Sequence, residues 1–178
     1  MKVIYITFDD GPVSEVTPQI LDLLDEYKVK ATFFCVGENV KKFPEVYAEV
    51  IRRGHKTGNH TFNHLKGIQV SKNEYVGNVQ KAAEYIDSNL LRPPYGRITF
   101  SQKKKLRNKF EIIMWDVLTQ DYDKSLSPDK IMENITRYSR NGSIVVFHDS
   151  IKAKDNVLTV LPQAINWWRK EGYSFGIL

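Results

Sequence analysis

The sequence lacks the cysteine pairs, internal repeats and low-complexity linkers that mark special classes of protein. Cys35 is the only cysteine among 178 residues, so an intramolecular disulfide is excluded. Cys35 lies in the apolar run 31–36, which favours a buried and inert thiol. Because repeats and linkers are absent, we expect one compact domain over residues 1–178.

A segment able to cross a membrane is also missing. The N-terminal run Lys2 to Phe8 is too short for the hydrophobic core of an export signal or for a transmembrane helix. We therefore expect no integral membrane segment. If Met1 is the native start, the protein would be cytoplasmic, whereas removal of an export signal would leave the same sequence and an extracytoplasmic protein. Localisation and oligomeric state are both left open by the sequence.

The excess of basic over acidic side chains is small. There are 26 lysines and arginines against 21 acidic residues, a formal net charge of +5. The longest basic cluster, at residues 103–109 around Leu106, is typical of the solvated face of a short amphipathic helix. A nucleic-acid-binding protein would carry a broader basic stripe or a recognisable binding motif, and neither occurs. We therefore exclude nucleic acid as a partner.

Short strand-like runs alternate with segments of helical periodicity. Runs rich in β-branched and aromatic residues predict strands at 3–8, 31–36, 55–59, 111–116, 143–147 and 173–178, with a further short strand before Pro93. Helices are predicted around 20–27 and 46–51, after Ser71, from Ser127-Pro128 and over 156–170. Six or seven βα units are fewer than the eight units and about 250 residues of a full barrel. The pattern therefore predicts an α/β fold with a trimmed or distorted barrel.

Polar residues that directly follow predicted strands are candidates for chemistry, because parallel strands place their carboxyl ends at one rim. Asp9 and Asp10 follow the first strand, although Asp-Asp-Gly-Pro is also ordinary turn chemistry. His60 and His64 follow the third, and their spacing puts both imidazoles on one face if the segment is helical. Two histidines and one carboxylate leave coordination positions open, as in a catalytic zinc site.

A metal at this rim would suit the hydrolysis of an amide or ester, because it polarises a carbonyl group and activates water. One aspartate of the pair Asp9 and Asp10 could bind the metal while the other accepts the water proton, and the residues alone do not say which. His148, at the end of a strand, is a candidate proton donor or a structural histidine. Asp149 could orient His148 or fix a loop.

Four segments carry a resemblance to a known family, in its order and spacing. They are Thr7 to Gly11, His60 to His64, Arg92 to Gly96 and Ile144 to Asp149. On these segments the chain resembles the polysaccharide deacetylase family, the NodB homology domain of carbohydrate esterase family four, in its first, second, third and fifth motifs. The resemblance implies a distorted (β/α)7 barrel, which agrees with the count of βα units.

The resemblance also implies a role for each of the candidate residues. Asp9 would be the general base, and Asp10, His60 and His64 would bind one divalent metal. We expect Zn²⁺, with Co²⁺, Ni²⁺ or Fe²⁺ as alternatives. His148 would be the general acid. The expected partner is an acetylated oligosaccharide or polysaccharide.

Supporting roles follow from the third and fourth motifs. Arg92 would hold Asp9 through a charge-assisted hydrogen bond, and the backbone N–H of Tyr95 would help to stabilise an oxyanion. Asp121 is expected to pair with Arg92. The fourth motif usually ends in Asp-Trp, so Asp121 matches, while Tyr122 replaces the tryptophan.

This replacement leaves the acetyl-binding pocket less well defined. Trp115 and Tyr122 of the fourth motif are candidate substrate-binding residues. Val146 and Leu161 are candidates for the remaining apolar wall, although both could be ordinary core residues. Tyr122 also brings a hydroxyl group that needs a partner if it is buried.

The expected function is hydrolysis of the N-acetyl group of amino-sugar polymers or oligomers, of the chitin oligosaccharide or peptidoglycan type. An O-acetyl esterase acting on xylan-type glycans is one alternative, and a non-catalytic carbohydrate-binding homologue is another. A non-haem iron oxygenase also uses two histidines and one carboxylate. Its usual all-β setting does not fit, and dependence on dioxygen and a 2-oxoacid would distinguish it.

Overall fold

All strands of the computed structural model, which describes residues 2–178, run parallel in one curled sheet. They are β1 (Lys2–Asp9), β2 (Thr32–Cys35), β3 (Lys56–Asn59), β4 (Leu90–Leu91), β5 (Glu111–Ile112), β6 (Val117–Leu118), β7 (Ser143–His148) and β8 (Tyr173–Gly176). Their order is β5-β4-β3-β2-β1-β7-β6, and β8 pairs with β1. The ends of this order, β5 and β6, are not paired with each other. The predicted distorted (β/α)7 barrel is confirmed.

Helices connect the strands and cover the outside of the sheet. They are α1 (Thr17–Glu26), α2 (Gly37–Lys42), α3 (Pro44–Arg52), α4 (Lys72–Ala83), α5 (Phe100–Leu106), α6 (Pro128–Tyr138) and α7 (Lys154–Lys170). The predicted starts of α4 and α6 are confirmed, because the Ser71 and Ser127 hydroxyls accept hydrogen bonds from the backbone three residues on. Among residues 2–178, none of the helices combines the length and the apolar character that a membrane span requires.

Strand β1 organises the sheet because it pairs with three neighbours. It pairs with β7 along residues 4–9, with β8 along residues 2–5 and with β2 along residues 7–9. In this register Asp9 lies directly beside His148 of β7. The first and fifth sequence motifs, far apart in the chain, therefore end at the same point of the rim.

Aromatic residues fill the interior on both sides of β1. The Phe8 ring stacks on Phe33 at 4.8 Å between centroids and lies 5.8 Å from Phe147. Trp168 of α7 is fully buried in the same core. Large buried rings of this kind contribute strongly to stability and keep the strand ends in fixed positions.

One predicted strand has the wrong bounds, and one short helix has no sequence signal. The strand predicted at 111–116 ends at Ile112 as β5, and β6 begins only at Val117, after the predicted end. Between them, the carbonyl oxygens of Ile113 and Met114 accept hydrogen bonds from the Arg92 side chain. A buried guanidinium thus uses these two acceptors, which lie outside the strand pairing. The short helix α2 was not predicted, because six residues show too little periodicity.

Candidate active site

The rim at the ends of β1 and β3 brings together Asp10, His60 and His64. Asp10 Oδ1 lies 3.1 Å from His64 Nε2 and 3.5 Å from His60 Nε2. One ligand atom from each residue falls within 4.8 Å of the others, and within residues 2–178 this is the only such group. Two imidazole nitrogens and one carboxylate oxygen fit a catalytic zinc ion or a similar divalent cation.

The two histidines converge, but not through the helical spacing that the sequence suggests. Residues 60–64 form a loop and not a helix. Thr61 and His64 have φ angles of 65° and 58°, and Asp10 has a φ of 83°. These are left-handed conformations that non-glycine residues adopt at a cost, and they often mark functional sites. Chain turns, and not helical spacing, therefore aim the ligands at one point.

His60 is held by a backbone acceptor. Its Nδ1 lies 2.7 Å from the carbonyl oxygen of Arg92, so the proton is assigned to Nδ1 and Nε2 is left with a lone pair facing Asp10. His64 is held by packing, with its ring edge-on to the Tyr95 ring at 4.8 Å. Burial alone would raise the pKa of Asp10, but the neighbouring imidazoles of His60 and His64 hold that pKa well below its usual value. Asp10 is therefore an ionised oxygen donor.

Asp9 is fixed by a buried arginine. Arg92 Nη1 donates to Asp9 Oδ1 at 2.8 Å and to Thr7 Oγ1 at 2.7 Å. The guanidinium carbon lies 4.0 Å from the centre of the Phe34 ring, and Arg92 is fully buried. The second oxygen of Asp9 lies 3.9 Å from His60 Nε2 and faces the metal site. Thr7, which belongs to the first motif, is the second acceptor of this donor.

The predicted pairing of Asp121 with Arg92 is wrong. Asp121 is fully buried, with Oδ1 2.7 Å from His148 Nδ1, and Oδ2 accepts a hydrogen bond from the His148 backbone at 2.8 Å. The cause is the strand order. Asp121 follows β6, which pairs with β7, whereas Arg92 follows β4 on the other side of β1.

The Asp121 carboxylate sets the charge of His148. Burial lowers the pKa of His148, but the hydrogen bond and the negative charge of Asp121 outweigh it and raise that pKa to about 9. His148 is therefore protonated at neutral pH, with Nε2 as the ring nitrogen left free by Asp121. This is the state that a general acid requires.

Asp149 fixes a loop and does not contact the His148 ring. Its carboxylate accepts hydrogen bonds from the Gly11 backbone at 2.9 Å and from the Thr17 hydroxyl at 2.8 Å. A Cβ atom on Gly11 would lie 1.8 Å from this carboxylate, so only glycine fits. Burial raises the pKa of Asp149 to about 8. This contact decides between the two roles that the sequence left open.

These groups open into a cavity of about 540 Å³. Its lining includes the predicted substrate-binding residues Tyr95, Trp115, Tyr122 and Val146. Leu161 is not among the lining residues, because it lies on the inner face of α7 and is fully buried in the core. The cavity is also lined by three residues that were not predicted from the sequence, namely Leu118, Ser150 and Lys152. All three lie at or shortly after the end of a strand, and this position is the sequence feature that points to them.

Tyr95 is placed for the predicted backbone contact. Its φ of 59° turns the chain at the rim, and its side chain is 61% exposed. Within residues 2–178 its backbone N–H donates no hydrogen bond. A free N–H at the edge of the cavity suits the stabilisation of negative charge on a bound oxygen.

Comparison with known proteins identifies the family. Residues 1–110 match the model of the family described as polysaccharide deacetylase. The chain belongs to the polysaccharide deacetylase family. A peptidoglycan-N-acetylglucosamine deacetylase of Bacillus cereus is 40% identical over 152 residues, which are 82% of this chain and 55% of that protein. The chain therefore spans about half the length of that curated relative.

Two further similarities cover nearly all of this polysaccharide deacetylase domain. Another peptidoglycan-N-acetylglucosamine deacetylase of Bacillus cereus is 32% identical over 98% of this chain and 85% of its own length. The crystal structure of the peptidoglycan N-acetylglucosamine deacetylase Bc1960, in complex with an N-oxidanyl-benzamide, superposes with a TM-score of 0.94. It is 35% identical and is matched over 98% of this chain and 85% of that one.

Proposed function

We propose that this chain hydrolyses the acetamido group of N-acetylated amino sugars in a glycan, releasing acetate and a free amine. The observation that carries the proposal is the grouping at one cavity of a candidate metal site, an Asp9 held by Arg92 and a His148 held by Asp121. Peptidoglycan is the first substrate to test, because the similar proteins are named for it. Chitin oligosaccharides are the second.

The residues Asp10, His60 and His64 would hold the divalent cation, and Zn²⁺ fits them best. When bound, the cation supplies Lewis acidity that polarises the acetyl carbonyl and activates the attacking water. Asp9 accepts a proton from that water through the carboxylate oxygen that Arg92 does not bind.

Residues on the other walls complete the reaction. The backbone N–H of Tyr95 donates a hydrogen bond to the acetyl oxygen as that atom gains negative charge. His148 then protonates the amine nitrogen as the carbon–nitrogen bond breaks, with Asp121 stabilising the imidazolium. The water oxygen ends in acetate, and the sugar keeps the protonated nitrogen.

Acetate release by the purified chain with added zinc tests the proposal. The substrates are chitin oligosaccharides, peptidoglycan and acetylated xylan. We expect acetate from the first two, and Asp9→Asn should lower kcat by about 10²- to 10⁴-fold while the protein keeps its metal. Acetate from xylan alone would make the protein an ester hydrolase. No acetate from any substrate by the zinc-loaded protein would contradict the proposal.

A further inference from the structure

Two similar stacks of side chains stand on opposite sides of β1. We define the acid side as the segments that follow β6 and β7. There, the ring of Tyr122 is edge-on to His148 at 4.9 Å, and Lys152 Nζ lies 5.5 Å from the Tyr122 ring centre. Lys152 lies in the turn before α7 and lines the cavity.

The metal side, defined as the segments that follow β3 and β4, has the same arrangement. The Tyr95 ring is edge-on to His64 at 4.8 Å, and Lys66 Nζ lies 5.2 Å from the Tyr95 ring centre. On each side of β1, a histidine packs against a tyrosine, and a lysine lies over the ring of that tyrosine. Aromatic rings at this distance attract an ammonium group and restrict where it lies.

Neither ammonium group has an anionic partner. Among residues 2–178, Lys66 and Lys152 form no salt bridge. The carboxylates of Asp9 and Asp121 are already engaged with Arg92 and His148. Asp123 is close enough for the charge of Lys152 to lower its pKa, but the two residues form no salt bridge. The lysine charges therefore add to the potential at the mouth of the cavity, where they attract anions and repel cations.

We propose that Lys152 and Lys66 bind carboxylate groups on the units that flank the reacting sugar, so that the cavity selects an anionic glycan over a neutral one. This inference rests on the proposed function, because it assigns a substrate class to the same cavity. A neutral glycan would stack on Tyr95 and Tyr122 but would leave both cations unpaired. A carboxylated glycan can stack on the tyrosine rings and also pair its carboxylates with the two lysines.

The test compares three ligands of equal length. They are an oligosaccharide of alternating N-acetylglucosamine and N-acetylmuramic acid with free lactyl carboxylates, the same compound with these carboxylates converted to methylamides, and a neutral chitin oligosaccharide. Binding to the zinc-loaded protein is measured by titration calorimetry, and kcat/KM by acetate release. Because binding is measured separately from turnover, a failure of this inference is distinguishable from a failure of the proposed function.

We expect the carboxylated ligand to bind more tightly than its amide. Lys152→Gln and Lys66→Gln should each reduce this preference by about 5-fold, mainly through a higher KM for the carboxylated ligand. Raising the salt concentration should reduce the preference in the same direction. The matched control is Lys104→Gln on α5, an exposed lysine away from the cavity, which should keep the full preference.

Two results would overturn the inference. One is equal binding of the carboxylated and amidated ligands by the unsubstituted protein. The other is a preference that survives in the Lys66→Gln and Lys152→Gln double variant, because the carboxylate would then bind elsewhere in the cavity. All three positions are solvent-accessible and unpaired, so these substitutions leave the fold intact.

Discussion

The metal side and the acid side both orient a histidine through its Nδ1 atom, but with acceptors of different charge. On the metal side, His60 donates to the carbonyl oxygen of Arg92. On the acid side, His148 donates to the carboxylate of Asp121. A carbonyl fixes the tautomer without adding a negative charge, which suits a metal ligand. A carboxylate also favours the imidazolium, which suits a proton donor.

The largest effect should come from removing a ligand on the metal side. His60→Ala deletes one of the two imidazole donors, and we expect zinc affinity to fall by more than about 100-fold, because even outer partners of metal ligands contribute about 10- to 100-fold. Asp121→Asn is the matched control on the acid side and should bind zinc normally. The zinc content of both variants is measured by metal analysis after dialysis. Equal zinc content in both variants would contradict the division into two sides.

An intermediate effect is expected from Asp121→Asn, in the pH dependence of the rate. The proton on His148 is needed, so the rate falls as pH rises through its pKa of about 9. Asparagine removes the negative charge that raises this pKa. The alkaline limb of the pH–rate profile, where the rate falls with rising pH, should therefore move towards neutral pH. With a pKa near the ordinary 6.5, activity at pH 8 should fall roughly 30-fold and recover at lower pH.

The control for this prediction lies on the metal side. Arg92→Lys changes the support of Asp9 but leaves the contact between Asp121 and His148 intact. We expect this variant to lower kcat without moving the alkaline limb. If the limb stays in place in Asp121→Asn, or moves equally in Arg92→Lys, then Asp121 does not set the charge of His148.

Much of the site could be predicted because parallel strands share a rim. The strands that precede Asp9, His60 and His148 are recognisable as apolar runs, and their carboxyl ends must meet at one edge. The sequence therefore predicts that Asp9, Asp10, His60 and His64 lie close together, and the structure brings them together. Their catalytic roles remain predictions.

The partner of Asp121 could not be predicted in this way. It depends on which strands are neighbours, and β6, which places Asp121 beside His148, has only two residues and no periodic signal. The prediction that Leu161 lines the cavity is wrong for a related reason. Helical periodicity shows that it faces inward from α7, but not whether it reaches the cavity or the core. The left-handed turns at Thr61 and His64 likewise have no sequence signal, because neither residue is glycine.

The smallest predicted effect concerns backbone strain on the acid side. The metal side has left-handed residues whose side chains serve the site, such as His64 and Tyr95. The acid side has one at Gln120, with a φ of 62°, and its exposed side chain does not line the active-site cavity. Glycine adopts this conformation without steric cost, whereas other residues lose about 1–2 kcal/mol.

Gln120→Gly should therefore raise the free energy of unfolding by about 0.5–1 kcal/mol, since the gain is partly offset by the greater flexibility of glycine in the unfolded chain. In a domain of this size the melting temperature should rise by about 1–4 °C, with kcat/KM unchanged. Gln120→Ala is the control, because it removes the side chain but keeps the strained φ. Equal stabilisation by alanine would show that the side chain, and not the backbone, is responsible. On the metal side, Tyr95→Gly relieves the same strain but also removes the ring that packs against His64, so there any gain in stability should be accompanied by a loss of activity.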